Sequence, residues 1–305
     1  MIIIKLQGGF CNHLFQYATG RALSLLYDTE LRLDLSLFEN PETRKVYRLD
    51  KFNLPFTIAD KSDYIHLINP SKIPRIIRGA KRLGLKSPMH YKKSHVFEND
   101  VLKLFHSENS ANRDYYIEGW LGNEIYFKSI KEIIIKEFNA DYLLDNENLL
   151  LQKEIENSNS IAVHIRRGDY SANSYFMVLP EEYYLSAMKQ AAEEIDNPTF
   201  YFFSDDIASV KNIYSDIQNI RFVERNSTPD SKWSTSGDVE DLMLMRSCKH
   251  QIIANSTFSW WGAWLNENTS KKVYYPAIWY KDAKAQKQFD TNNSFIPSTW
   301  TKIKF

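Results

Sequence analysis

Short apolar runs alternate with amphipathic stretches along most of the chain. Residues 2–6 predict a first strand, Gly8 and Gly9 a turn, and residues 12–27 a helix with apolar side chains along one side. The same patterns predict further strands at 31–35 and 115–121 and a helix at 123–138. A strand followed by a glycine turn and a helix is typical of a mononucleotide-binding unit, in which the helix N-terminus offers free N–H groups to an anion.

The second half of the chain alternates more regularly between apolar runs and helical periods. Its predicted strands are 161–165, 199–203, 220–224, 250–254 and 271–276, and its predicted helices include 180–195, 238–248 and 258–265. Such alternation predicts a doubly wound parallel sheet. Residues 139–160 are polar and hold no clear β-period, so we place a domain boundary there, between domains 1–150 and 151–305.

The composition of the chain limits the kinds of partner that the protein can bind. Its 305 residues are 43% hydrophobic, which is enough for a full core and for two domains. The sequence has 38 Lys and Arg residues and 38 Asp and Glu residues, so the protein has no net positive charge that would attract nucleic acid. An anionic ligand must therefore bind to a local cluster of cationic side chains. The two cysteines cannot form a disulfide framework, and no apolar run is long enough for a membrane span, so we expect a cytoplasmic protein.

One segment, residues 72–93, is strongly basic. No acidic residue occurs between Tyr64 and Phe97, while eight Lys and Arg residues do. Apolar residues recur within it at helical spacing. An ordinary helix with a solvated basic face is the favoured interpretation, and the alternative is peripheral contact with an anionic membrane surface.

Polar residues follow three of the predicted strands in the second half. They are RRGDY (166–170), SDD (204–206) and NSTFS (255–259). Because ligands of parallel sheets lie beyond the carboxyl ends of the strands, we expect the three turns to share one edge. The guanidinium groups of Arg166 and Arg167 can each donate two hydrogen bonds to phosphate oxygens. Further donors are the hydroxyls of Ser256 and Thr257 and the backbone N–H groups where the helix starts at Phe258. Together they suit a diphosphate.

Carboxylates at the same edge suit a guanine base. Asp205 or Asp206 could accept from the two parallel donors of guanine, its N1–H and its exocyclic amine. Each element also has a purely structural interpretation. Arg167 could pair with Asp169, the two aspartates could cap a helix at 207, and Asn255 or Ser256 could cap the helix at 258. The coincidence of three such turns favours a nucleotide diphosphate.

Absent motifs narrow the chemistry further. No Asp-x-Asp triplet occurs anywhere in the sequence, so the usual acidic pair that holds a divalent metal on the phosphates of a sugar nucleotide is missing. A cationic clamp is expected to take its place. The sequence also lacks a P-loop and a G-x-S-x-G elbow, which argues against P-loop nucleotide hydrolysis and serine hydrolase chemistry.

With these residues in view, the chain resembles the alpha-1,2-fucosyltransferases of glycosyltransferase family 11. The motifs HIRRGDY (164–170) and IIANSTFSWWGAWL (252–265) match that family nearly letter for letter. Shorter matches at 8–18, 119–127 and 203–206 follow in the order of the family. The resemblance implies a GT-B type α/β fold, with two Rossmann-like domains facing a cleft and the acceptor side in the first.

The resemblance also implies a reaction. It predicts metal-independent transfer of L-fucose from GDP-β-L-fucose to the 2-hydroxyl of a galactose, with inversion, in an O-antigen or related surface glycan, and no cofactor. By analogy with related fucosyltransferases, His164 and Arg166 contact the donor, and Asn12 reaches the reacting centre. The full predicted donor set is His164, Arg166, Arg167, Asp169, Asp205, Asp206, Asn255, Ser256, Thr257 and Phe258.

Departures from the family pattern concentrate in the first half. Cys11 and His13 replace a glycine and a glutamine, and Gly122 stands where the family commonly has glutamine. The catalytic base is left open, and its chemical candidates are His13, Glu118 and Asp169. We name His13 with Arg166 and Asn12 as catalytic, and Glu118, Trp120 and Tyr126 as acceptor-side residues.

Several alternatives remain at this point. Trp260, Trp261 and Trp264 could stack on a sugar, but the favoured interpretation anchors their helix in the core. The protein could use another GDP-sugar or another acceptor. It could also be a catalytically impaired module that binds a GDP-sugar or glycan.

Overall fold

A computed structural model describes residues 1–39, 47–68, 93–106, 113–168, 170, 174–224, 226, 237–291 and 295–305. The described residues form two compact units. Unit 1 comprises Met1–Gly8, Asn12–Arg44 and Leu54–Lys131. Unit 2 comprises Gly9–Cys11, Lys45–Asn53 and Glu132–Phe305. The predicted boundary after residue 150 therefore lies inside unit 2.

Unit 1 contains a five-stranded parallel sheet. Its strands are β1 (Ile2–Lys5), β2 (Leu31–Asp34), β3 (Thr57–Ile58), β4 (His95–Phe97) and β5 (Tyr115–Glu118). They lie in the order β3-β2-β1-β5-β4. The side chains of Ile2, Ile3 and Ile4 are fully buried, as expected for a central strand that helices cover on both faces.

Among the residues that the structure describes, three helices accompany this sheet. They are α1 (Phe10–Leu26), α2 (Lys61–Ile68) and α3 (Glu98–Phe105). The short helix α4 (Lys131–Glu137) marks the passage from unit 1 to unit 2. Gly8 makes the turn between β1 and α1 with a φ of 83°, a left-handed conformation that glycine adopts without strain.

Unit 2 contains a six-stranded parallel sheet. Its strands are β6 (Asn159–Ile165), β7 (Pro198–Ser204), β8 (Ile220–Phe222), β9 (His250–Ile252), β10 (Val273–Pro276) and β11 (Thr301–Ile303). Their order is β11-β10-β9-β6-β7-β8. This is the strand order of a doubly wound Rossmann sheet, and its switch point lies between β6 and β9.

Helices α5 to α10 belong to unit 2. They are α5 (Asn146–Asn157), α6 (Glu181–Glu194), α7 (Ile207–Tyr214), α8 (Asp238–Ser247), α9 (Thr257–Leu265) and α10 (Ala283–Thr291). The indoles of α9 are almost fully buried, at 0% exposed for Trp260 and Trp261 and 3% for Trp264. The core interpretation of these tryptophans is therefore confirmed.

Most predicted elements of the second half are present within a few residues of their expected bounds. The predicted helix 123–138 is instead broken into the 3-10 turns Glu124–Tyr126 and Lys128–Ile130, followed by α4. Within the described part of the chain, no helix has the length and apolarity that a membrane crossing requires.

Candidate active site

The three polar turns predicted to share an edge come together in unit 2. The His164 ring at the end of β6 lies 5.3 Å from the ring of Phe258 in the first turn of α9. The Tyr170 hydroxyl donates to the Asn255 carbonyl at 3.0 Å. The turn after β7 joins them through Asp205, which pairs with Arg166. All three turns therefore lie at the β6/β9 switch point, where a parallel sheet places its ligand.

Arg166 is held at this edge by two neighbours. Its Nη1 lies 3.1 Å from Asp205 Oδ2, and its guanidinium carbon lies 5.7 Å from the centre of the Tyr170 ring. The Arg166 side chain remains 19% exposed. A guanidinium has five N–H donors in a planar fork, a geometry that suits phosphate oxygens.

Asp205 ties the two turns together. Its Oδ1 accepts from the Arg167 backbone N–H at 3.0 Å, while Oδ2 faces Arg166. Gly168 packs against the same carboxylate, because a Cβ at this position would lie 2.5 Å from Asp205 Oδ2. The glycine of the RRGD sequence is thus required by the close approach of Asp205. The predicted guanine contact of Asp205 stays a prediction, since both of its oxygens already have partners inside the turn.

Arg167 has a different environment from Arg166. It lies beside the buried hydroxyls of Tyr184 on α6 and Tyr214 on α7. Burial raises the pKa of Tyr214 to about 12, and the nearby Arg167 guanidinium opposes that rise. The Nε of Arg167 is itself buried. The binding of the donor by Arg167 stays a prediction, and its side chain is half-buried.

Two further members of the predicted donor set cap helices. The Asp206 side chain accepts from Ser209 N at 3.3 Å and caps α7. The Ser256 side chain accepts from Phe258 N at 3.3 Å and caps α9. These are the structural roles that the sequence allowed as alternatives. Thr257, the first residue of α9, is half-buried beside them.

Asn255 is an internal brace, which corrects its assignment to the donor. Its side chain is 1% exposed, and Nδ2 donates both to the Met177 carbonyl at 2.8 Å and to the Trp279 carbonyl at 2.7 Å. Both amide hydrogens are therefore used within the protein. Asn255 holds the loop before α9 in place and does not offer donors to a ligand.

His164 is buried next to Arg166. It is 3% exposed, and burial together with the Arg166 charge lowers its pKa to about 3. The ring is therefore neutral at physiological pH. A neutral imidazole can orient a donor but adds no positive charge for a diphosphate, so the charge of this edge comes from Arg166.

Two sequence predictions lie outside the described residues. One is Asp169, which stands between Gly168 and Tyr170. The other is the basic segment 72–93, of which only Lys93 is described, and it is exposed.

The predicted acceptor-side residues belong to unit 1, whose switch point lies between β1 and β5. Asn12 follows β1 and Trp120 follows β5, so both lie at this carboxyl edge. The Trp120 Nε1–H donates to Asn12 Oδ1 at 3.0 Å. Tyr126 lies in the following 3-10 turn and is only 8% exposed, with its ring stacked on Phe105. The assignment of Tyr126 to the acceptor stays a prediction.

His13 is fully buried, which corrects its assignment as a catalytic base. Its Nε2 lies 3.0 Å from the Gly8 carbonyl oxygen, and its ring packs edge-on against Phe38. Burial lowers its pKa to about 4. A base must reach the acceptor hydroxyl, and a side chain with no exposed surface does not.

Glu118 sits at the end of β5 with two donors. Lys5 Nζ lies 3.1 Å from its Oε2, and His95 Nε2 lies 2.9 Å from its Oε1. The Glu118 side chain is 23% exposed. His95 lies outside every motif singled out from the sequence, and it reaches Glu118 only because β4 pairs with β5 in a register that places His95 opposite Tyr116.

Cys11 departs from the family pattern and is buried in unit 2. The Trp261 Nε1–H donates to the Cys11 carbonyl at 3.0 Å. Burial raises the pKa of the Cys11 thiol, Asp238 raises it further, and Arg166 opposes the rise. The thiol is therefore un-ionised at neutral pH. Among the described residues, no group of three or more His, Cys, Asp or Glu side chains could hold a metal ion.

Comparison with known proteins assigns the chain to a family. Residues 74–304 match Glycosyl transferase family 11. An alpha-1,2-colitosyltransferase of Escherichia coli is 31% identical over all of this chain and 99% of its own length. The chain belongs to glycosyl transferase family 11. This family 11 protein is also 31% identical to the O-antigen biosynthesis glycosyltransferase WbnK of Escherichia coli, across 90% of this chain and 93% of that one.

A more distant relative and a solved structure complete the comparison. The bovine galactoside 2-alpha-L-fucosyltransferase SEC1 is 25% identical over 58% of this chain and 48% of its own. The crystal structure of NodZ alpha-1,6-fucosyltransferase soaked with GDP-fucose aligns with a TM-score of 0.51 at 15% identity, covering 87% of this chain and 91% of that one. With the two parallel sheets, this likeness confirms the prediction of an α/β fold of GT-B type with two Rossmann-like domains.

Proposed function

We propose that this family 11 glycosyltransferase moves L-fucose from GDP-β-L-fucose to the 2-hydroxyl of a galactose, with inversion, in an O-antigen or related surface glycan. The observation that carries the proposal is the placement of Arg166 on the turn after β6, which meets the segment before α9 through Tyr170 and Asn255 at the β6/β9 switch point. Relatives named for α-1,2 transfer, for O-antigen biosynthesis and for a galactoside fucosyltransferase support the reaction class.

The chemistry follows from the charge that develops on the leaving group. As the bond to the sugar breaks, negative charge grows on the β-phosphate of GDP, and the Arg166 guanidinium is suited to stabilise it. A charged hydrogen bond of this kind contributes roughly 1.5–3 kcal/mol. We propose that this cationic clamp replaces a metal ion, because the sequence has no Asp-x-Asp triplet.

Inversion in a single displacement places the acceptor hydroxyl on the face of the sugar opposite GDP, near a group that can take its proton. Of the predicted base candidates that the structure describes, His13 is fully buried, whereas Glu118, paired with Lys5 and His95, keeps 23% of its side chain exposed at the β1/β5 switch point. We therefore propose Glu118 as the base. Glu118→Gln should lower kcat by about a hundredfold or more while GDP still binds, and an unchanged kcat would remove it from this role.

Colitose is a second candidate sugar, because a relative 31% identical along the whole chain is named a colitosyltransferase. Colitose lacks the 3-hydroxyl of fucose. A site that hydrogen-bonds this hydroxyl should reject the deoxy sugar by about 10⁴-fold, whereas a site that leaves it free should use both donors at similar rates. The ratio of kcat/KM for the two donors therefore decides between them.

The test is a transfer assay with the purified protein. GDP-fucose and GDP-colitose are each incubated with several galactose-terminated acceptors in the presence of EDTA, and the linkage of the product is determined by NMR. Fucosylated product with an α-1,2 linkage under chelation would support the donor, the reaction and the metal independence together. If calorimetry shows that GDP binds, but neither transfer nor donor hydrolysis is detected, the protein is instead a catalytically impaired binding module.

A further inference from the structure

The indole of Trp120 fixes the orientation of the Asn12 side-chain amide. Trp120 Nε1–H donates to Asn12 Oδ1 at 3.0 Å. An indole N–H is only a donor, so the amide end that faces it must be the oxygen. The NH₂ end of Asn12 therefore points away from Trp120.

Gly8 confines the other end of the same amide. A Cβ at Gly8 would lie 2.4 Å from Asn12 Nδ2, so the side chain of Asn12 occupies space that any other residue at position 8 would take. The left-handed φ of 83° at Gly8 also favours glycine. Among the described residues, none accepts a hydrogen bond from Asn12 Nδ2. The amide is thus held in one orientation with its donors unused.

The backbone that carries Trp120 is itself fixed on both sides. The Trp120 backbone N–H donates to Glu98 Oε2 at 3.0 Å, and Gln16 Nε2 donates to the Gly119 carbonyl at 3.0 Å. The next residue, Leu121, is fully buried with a φ of 58°, a left-handed conformation that is strained for a leucine. Such strain persists only where the surrounding structure enforces it.

Gly122 provides the space in which the indole lies. A Cβ at this position would come within 2.7 Å of Cη2 and Cζ3 of the Trp120 ring. A larger residue at 122 would therefore displace the ring from Asn12. The glycine at position 122, which departs from the family pattern, therefore leaves the space that the Trp120 indole fills.

We propose that Trp120 is a positioning residue for Asn12, seated by Gly122, and that it makes Asn12 a hydrogen-bond donor at the β1/β5 switch point. This inference rests on the proposed transferase function. The Asn12 amide then steadies a substrate oxygen through its NH₂ group, and a neutral amide is not itself a base. Proton abstraction must fall to another group.

The inference is tested by a double-mutant cycle in the transfer assay. Trp120→Phe keeps an aromatic ring and removes the N–H, and Asn12→Ala removes the amide. Each should lower kcat about tenfold or more with little change in the KM of the GDP-sugar, and the double variant should be no slower than Asn12→Ala. Gly122→Ala should reproduce the loss seen in Trp120→Phe. Losses that multiply in the double variant would overturn the inference.

A matched control removes one aromatic donor elsewhere in unit 1. The Tyr27 hydroxyl donates to the Leu104 carbonyl, and Tyr27→Phe should keep kcat within about twofold even if it lowers the melting temperature. An equal loss of kcat in Tyr27→Phe and Trp120→Phe would indicate a general effect on folding and contradict the positioning role.

An NMR measurement separates this inference from the proposed function. The chain has 7 tryptophans, and Trp120→Phe identifies which indole ¹H–¹⁵N signal belongs to Trp120. Asn12→Ala should shift that signal and leave the other indole signals in place. An unshifted signal overturns the inference whatever the activity. A shifted signal in a protein that transfers no GDP-sugar upholds the hydrogen bond and contradicts the proposed function.

Discussion

The two adjacent arginines after β6 have different surroundings. We therefore expect the substitution of one to lower activity and the substitution of the other to lower the melting temperature. Arg166→Ala should reduce kcat/KM by about ten- to a hundredfold or more with little change in melting temperature, because a part-exposed guanidinium at the switch point is removed. Arg167→Ala should chiefly lower the melting temperature, because it leaves the hydroxyls of Tyr184 and Tyr214 without their cationic neighbour.

Steady-state kinetics and thermal unfolding on the two variants measure both effects. A still-active Arg166→Ala protein would contradict the clamp. A well-folded Arg167→Ala protein without donor affinity would place Arg167 in the donor site.

For individual residues, the sequence predicted position at the sheet edge better than it predicted what each side chain contacts. The turn motifs placed Arg166, Asp205 and Phe258 at one edge, because strand ends in a parallel sheet are readable from apolar runs. Whether a polar side chain faces a ligand or the protein is not readable in this way. Asn255 turned inward to two carbonyls, and His13 to the Gly8 carbonyl.

The turn after β6 and the turn after β7 act as one element, joined through Gly168 and Asp205. A methyl group at position 168 would lie 2.5 Å from Asp205 Oδ2 and push the carboxylate away from Arg166. We therefore expect Gly168→Ala to weaken GDP binding by about tenfold, measured by calorimetry.

The same substitution should be harmless in an Asp205→Ala background, because the group it displaces is gone. If Gly168→Ala weakens GDP binding equally in both backgrounds, the glycine serves something other than Asp205.

Elements were predictable where the hydrophobic period was long and unbroken. β6 and β7 run for seven residues each and were found, whereas β3, with two residues, has too few positions to show a period. Helix α5 was missed because its sequence, NENLLLQKEIEN, is mostly polar and buries only Asn148 and Ile155. Its N-cap Asp145, which accepts from Asn148 N, is the signal that could have identified it.

For the whole molecule, alternation of strands and helices predicted the doubly wound sheet of the second half, and the family resemblance implied two Rossmann-like domains, but neither predicted the strand order. The order places β1 beside β5 and β6 beside β9, and both pairings join segments distant in sequence. Pairing of this kind depends on long-range burial, which a single sequence does not display. The positions of the switch points are therefore findings of the structure.

Buried groups make opposing contributions to the pH dependence of stability, because burial raises the pKa of one carboxyl group and lowers the pKa of two histidines. Burial raises the pKa of Asp241 on α8 to about 7, even though Asn226 Nδ2 donates to its Oδ1 at 2.9 Å. Its folded-state pKa exceeds the ordinary value of 3.8, so this group costs stability progressively as pH rises from about 4 to 7. His13 and His164, with pKa values lowered to about 4 and 3, add stability as pH rises through the same window toward 6.5.

These opposing contributions predict what removing the Asp241 charge does. Asp241→Asn keeps an oxygen for Asn226 and abolishes the ionisation, so it should raise the free energy of unfolding at pH 8 by up to about 4 kcal/mol. Below pH 4 it should change little. Between pH 4 and 6.5 its melting temperature should rise more steeply than that of the unsubstituted protein, because the two histidines then act alone. Calorimetric melting at pH 4, 6 and 8 measures this, with Glu240→Gln in the same helical turn as the control. Parallel melting curves for Asp241→Asn and the unsubstituted protein across that range would show that the pKa of Asp241 is the same in the folded and the unfolded protein, and would contradict the raised pKa.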